Sequence, residues 1–80
     1  MIPPRIISAK ALDNFCVELC YVNNEKRIYD MTKFLEHPAY EKLKNKLYFN
    51  LVKSAETTIE WPDGEDVDPN ELYDNSVSVN

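Results

Sequence analysis

Between Phe15 and Val22 the side chains alternate with a period of two: Phe15, Val17, Leu19 and Tyr21 fall on one side, and Cys16, Glu18, Cys20 and Val22 on the other. Successive residues of an extended chain point to opposite faces, so the stretch predicts a β-strand whose wholly apolar side lies on a core. Asn23-Asn24-Glu25 follows as a turn, because Asn tolerates positive φ and bonds its own backbone. Arg27 to Met31 then returns as the second arm of an antiparallel hairpin. Upstream, Arg5 to Leu12 carries the β-favouring Ile6 and Ile7 and ends at Asp13-Asn14. A three-strand meander is the simplest arrangement.

Beyond Met31 the apolar spacing lengthens. Thr32 reads as the N-cap of a short helix through Phe34 and Leu35, which Pro38 ends. Pro38 suits the first turn of a second helix, in which Tyr40, Leu43 and Leu47 recur at helical spacing and are expected to pack on the sheet. Lys42, Lys44 and Lys46 fall in its last turn, where the helix dipole favours positive charge. Leu51 to Ser54 and Thr57 to Trp61 read as two further short strands joined at Ala55-Glu56, and Trp61-Pro62-Asp63-Gly64 as a type I turn. Asp68, with Pro69 behind it, caps a last helix whose Leu72 and Tyr73 turn to the core. Residues 75–80 are expected to form a flexible tail, with a late edge strand as the alternative for their Ser/Val alternation. The fold class is therefore α+β: one domain over 1–80, with a small antiparallel β-sheet built as a meander, then a helix, further short strands and a short C-terminal helix.

With 80 residues, about 60 to 65% of the unfolded surface is buried. The apolar side chains are consumed in closing one small core, and no deep pocket is expected. Cys16 and Cys20 lie four residues apart in a strand, a span of about 13 Å, whereas a disulfide needs Cα atoms about 4.4–6.8 Å apart. Reduced, packed thiols follow. His37 is the only histidine, so neither a zinc site nor a Cys-His nucleophile can be assembled on recognisable spacing. The single Gly excludes a glycine-rich phosphate loop. No catalytic, cofactor-binding or metal-binding residue is assigned, and no cofactor is expected. No apolar run is longer than Leu19 to Val22, too short for a membrane span or a leader core. The expected compartment is the cytoplasm.

The net charge of −5 hides an asymmetry. Residues 1–53 hold all nine Lys and Arg against six acids, and residues 54–80 hold eight acids and no base. Either the acidic end folds back toward Lys42, Lys44, Lys46 and Lys53, or it presents a face to a basic protein partner. Direct nucleic-acid binding is not expected, since phosphate contacts need clustered bases that outweigh local acids. The densest group is Asp63, Glu65, Asp66, Asp68 and Glu71. Read as a calcium loop starting at Asp66, it puts Glu71 where Gly is required and Val77 where the bidentate Glu belongs, so the pattern fails at both positions. Trp61 either anchors an interface or packs on Pro62, Leu72 and Tyr73. The candidate interaction surface is Trp61, Asp63, Glu65, Asp66, Asp68 and Glu71; self-association as a homodimer is a further expectation.

The run Ile59-Glu60-Trp61-Pro62-Asp63-Gly64-Glu65-Asp66-Val67-Asp68-Pro69-Asn70-Glu71-Leu72-Tyr73 resembles the signature of a small bacterial family catalogued as domain of unknown function 2442. That signature is a strand ending in Trp, an Asn/Asp-Gly turn, and an Asp-hydrophobic-x-Pro-x-x-Leu-Tyr helix. The hairpin, Asp30 leading into Phe34-Leu35, and the apolar Tyr40, Leu43 and Phe49 are similar in order, so nearly the entire chain is covered. It departs at Asn23-Asn24, where many relatives carry Asp-Gly or Asn-Gly. The resemblance implies a compact α+β fold and no catalytic residues. Some relatives continue into a helix-turn-helix domain, whose DNA-binding role is not carried over to these residues. Others are encoded beside a second small protein in pairs that look like toxin-antitoxin modules. The expected function is a non-enzymatic protein-interaction or regulatory module, in one form the neutralising partner of such a pair. The alternatives are a regulatory domain acting on transcription through a separate DNA-binding subunit, and a small metal-dependent enzyme using the acidic turn.

Overall fold

The computed structural model describes residues 2–79. In chain order it contains β1 (Ile6–Ala11), β2 (Cys16–Tyr21), β3 (Lys26–Asp30), a 3-10 turn (Thr32–Phe34), a 3-10 helix (Pro38–Lys44), α1 (Lys46–Phe49), β4 (Lys53–Ala55), β5 (Thr58–Glu60), α2 (Pro69–Asn75) and β6 (Val77–Ser78). The α+β class and the meander hold. An antiparallel sheet runs β1-β2-β3-β6, and β4 and β5 form a separate hairpin.

The period-two pattern of β2 sets the inside of the sheet. Val17, Leu19 and Tyr21 are buried, whereas Cys16, Glu18 and Cys20 are only half-buried on the opposite face. The two thiols are free but face away from the core, so the expected packing of them does not occur. Tyr29 and Met31 add to the buried face, and Leu43, Phe49, Val52, Ile59, Trp61, Val67 and Leu72 close over it. Each such side chain contributes about 1.5–3 kcal/mol relative to full exposure. Asn24 turns the hairpin with φ of 70°, a conformation Asn tolerates better than most residues.

Three helical expectations need correction. Thr32 does not cap: the Asp30 carboxylate accepts from its N–H (2.8 Å) and its hydroxyl (2.7 Å), so an Asx-type bond closes this turn from two residues earlier. The single helix expected from Pro38 through Leu47 is broken. Tyr40 leaves helical dihedrals and Asn45 is extended, with its side chain accepting from Leu47 N–H (3.0 Å) to start α1. A short polar side chain that bonds nearby backbone offers the chain an alternative to continuing the helix. Lys46 consequently begins α1 instead of completing the preceding turn. The break also rotates the apolar stripe: Leu43 is buried, Leu47 is 80% exposed, and Phe49 fills the core. Asn75 ends α2, Ser76 is buried and Val77–Ser78 pair with β3, so an edge strand occupies part of the stretch expected as a tail; Asn80 lies outside the described residues.

Among the described residues no helix is long and apolar enough to cross a membrane. Leu43→Ala should cost about 2–5 kcal/mol, as a cavity-forming core truncation does, whereas Leu47→Ala should stay within about 0.5 kcal/mol. Urea denaturation of both variants checks the rotated stripe; equal losses would restore the continuous helix.

Candidate functional site

The acidic turn after β5 is built on Gly64. Its N–H donates to Trp61 C=O (2.9 Å), Trp61 N–H donates to Glu65 C=O (2.9 Å), and Glu60 bridges Asp66. Gly64 has φ of 97°, and a Cβ there would meet no atom within 4 Å. The glycine is thus required for its backbone conformation alone. Beneath the turn Trp61 is 1% exposed, and its Nε1–H donates to Phe49 C=O (2.9 Å) at the end of α1. Its ring neighbour is Phe49, at 5.6 Å between centroids. Trp61 therefore does not line the surface. Its indole fills the core and gives the Phe49 carbonyl at the helix end a second donor beside the longer Val52 N–H bond (3.3 Å).

The five acids separate into two groups. Asp63 pairs with Lys42, and its N–H donates to Tyr48 Oη (3.0 Å); the Tyr48 hydroxyl in turn donates to Glu65 (2.6 Å). Asp66 contributes its backbone C=O to the Tyr40 hydroxyl (3.0 Å) and leaves its carboxylate exposed. These three acids, with Gly64, Ala39, Tyr40 and Lys42, enclose an open groove of about 430 Å³. A second depression of about 340 Å³ lies against Lys42, Asn45, Tyr48 and Asp63. Asp68 caps α2 instead, accepting from Asn70 N–H (2.8 Å) and Glu71 N–H (3.4 Å). Glu71 accepts from the Tyr29 hydroxyl (2.6 Å), Lys33 (2.6 Å) and the Asn75 amide (2.8 Å).

The acidic end does fold back on the bases. Lys42–Asp63, Lys53–Glu60 (3.7 Å) and Lys33–Glu71 cross between the two halves of the charge split. Lys33, which sequence reasoning did not single out, joins this set, whereas Lys44 and Lys46 make none of the pairs. Among the described residues no group of three or more His, Cys, Asp or Glu stands together as a metal site, because capping and ion pairing draw the carboxylates apart. Three tyrosine-to-carboxylate bonds, Tyr29–Glu71, Tyr48–Glu65 and Tyr73–Glu25, were also not legible in the sequence. Their partners are 17 to 48 residues apart, and no local spacing signals them.

These contacts shift protonation. Lys33 and Tyr29 donate to Glu71 and hold its carboxyl below the usual range. Tyr73 and Asn23 do the same for Glu25, and Thr32 for Asp30. Burial, reinforced by the Glu71 bond, pushes Tyr29 up to about 12; burial alone does most of this for Tyr21, also at about 12. The Asp63 carboxylate raises Lys42.

A family model described as protein of unknown function (DUF2442) matches residues 6–78. No curated protein and no solved structure matches the chain.

Because Glu25, Asp30 and Glu71 have lowered folded-state pKa values, each contributes stability that is present above the unfolded carboxyl range of about 3.9–4.3. That contribution is lost as pH falls through this range toward the folded values. Urea midpoints measured from pH 7 to pH 3 should decline in the native chain. Glu71→Gln should start lower at neutral pH and decline less; a parallel decline would remove Glu71 from the account.

Proposed function

This chain belongs to the DUF2442 family of proteins of unknown function, and from that premise we propose that it is a non-enzymatic module that binds a basic segment of a protein partner at the acidic turn. The observation that carries the reading is the groove between the 3-10 helix and the Gly64 turn, rimmed by Asp63, Glu65 and Asp66. Asp63 and Glu65 are held in place by Lys42 and Tyr48, and Asp66 is anchored through its backbone to Tyr40. The rim is thus set before a partner arrives, and the ordering cost of binding falls mainly on the incoming side chain.

A Lys or Arg side chain suits such a site. Its aliphatic stem can lie along Ala39 and the Tyr40 ring while the cation meets the exposed Asp66 carboxylate. The same rim repels phosphates, which favours a protein over a nucleic acid as the partner. Neutralising a second gene product in a two-gene pair is one form of this role, and the cytoplasm is its compartment. Complementary charge at an exposed rim speeds encounter and sets orientation more than it adds affinity.

The test is capture by the immobilised chain from its source cells, repeated with Asp66→Arg and with salt raised from about 0.1 M to about 1 M, which shortens the screening length from about 10 to about 3 Å. One basic protein should be retained, and both changes should release it. Retention that is indifferent to the substitution and to salt would exclude the acidic groove as the contact.

A further inference from the structure

The weakest-held element of the sheet is its edge. β6 pairs Ser78 with Arg27 and Val77 with Ile28, and Val79 N–H donates to Lys26 C=O (2.9 Å). The side chains here add little burial, since Val77 in β6 is 65% and Val79 just after it 46% exposed. What ties this end down is Arg27. Its Nε–H donates to Ser76 Oγ (2.6 Å), one Nη donates to Ser76 C=O (2.8 Å), and the other donates to Glu25 (2.9 Å). The guanidinium also lies 4.7 Å from the centre of the Tyr73 ring, and the Tyr73 hydroxyl donates to Glu25. One side chain thus joins β3 to the junction between α2 and β6.

Beneath this cover, β3 reads Lys26-Arg27-Ile28-Tyr29-Asp30, and the order of charge along it is self-complementary. Set antiparallel to itself about a two-fold axis at Ile28, the strand places Lys26 of each copy opposite Asp30 of the other. Arg27 falls opposite Tyr29 and Ile28 opposite its own equivalent. Opposite charges facing across strands stabilise a pair, and like charges there oppose it. A slip of two residues in either direction loses both charge pairs, so the register is specified. Because β6 is the neighbour of β3 on that side of the sheet, such pairing requires β6 to leave. Covering an edge with a short strand is a recognised means of preventing edge-to-edge association.

We propose that β6 is a cover strand latched by Arg27, and that the β3 edge beneath it is an interface for a second copy of this chain, paired antiparallel about Ile28. The product is a two-fold dimer with one continuous sheet, β1-β2-β3 of one copy joined to β3-β2-β1 of the other, the isologous arrangement a self-complementary strand produces. The inference does not depend on the acidic groove.

Sedimentation velocity on the full chain over a wide concentration range tests it, with Arg27→Met to remove the latch. Val79→Pro provides an independent cover variant that removes the donor to Lys26 C=O just after β6, at an exposed position, in case the first variant fails to fold. Either change should lower the dimer dissociation constant at least about tenfold relative to the native chain. Adding Lys26→Asp should abolish the dimer by setting Asp against Asp30, and combining Lys26→Asp with Asp30→Lys should restore it. Cover variants that associate no more than the native chain, or a dimer unmoved by the charge reversal, would overturn the proposal.

Discussion

Removing Val17, Leu19 and Tyr21 from water is the constraint on which the rest of this structure depends. In so short a chain one strand face cannot be left open, and every later element is placed by the need to cover it. The Asn45 break in the helical region is the clearest consequence. A straight helix from Pro38 would have carried Leu47 to the core, whereas re-initiation at Asn45 brings Phe49 in and turns Leu47 out. The bulkier ring then meets Trp61, whose N–H closes the end of α1, so that helix and turn support one another.

The same economy governs the charges. The bases lie in the first two-thirds of the chain and the eight acids of the last third have no base beside them in sequence, yet folding brings Lys33, Lys42 and Lys53 to Glu71, Asp63 and Glu60. Each exposed pair contributes little, about 0–1 kcal/mol. Their larger effect is positional. They fix the acidic turn against the 3-10 helix and α2 against the 3-10 turn at Thr32–Phe34, and they disperse carboxylates that a linear reading groups together. The groove is acidic because Asp66 remains exposed after its neighbours have been taken up, not because the local sequence is acidic.

Much of the fold was legible because its signals are local. The alternation in β2, the Asn24 turn, the Gly64 turn and the Asp68-Pro69 start of α2 each depend on residues within a few positions of one another, and each is found as expected. The failures share a cause. The roles of Thr32 and Leu47 are set by competition that residue type and spacing do not show: Asp30 reaches Thr32 first and Asn45 interrupts the stripe; of the two readings open for Trp61, the core claims the indole. The candidate surface was legible in part, since Asp63, Glu65 and Asp66 do share a groove, while Asp68 and Glu71 serve α2.

Residue order alone settled the strands of the meander and of the β4–β5 hairpin, where they turn and which face of β2 is buried, because pleat and turn chemistry act over two to four residues; at β6 it left a tail and an edge strand both open. Pairing across the chain lay beyond it. Arg27 meets Ser76, Tyr29 meets Glu71 and Lys42 meets Asp63 only once the core has closed. Contacts of this kind are selected by shape and charge in three dimensions, with no imprint on local spacing. The latch on β6 and the rim of the groove are both made of them, and so both belong to the folded molecule.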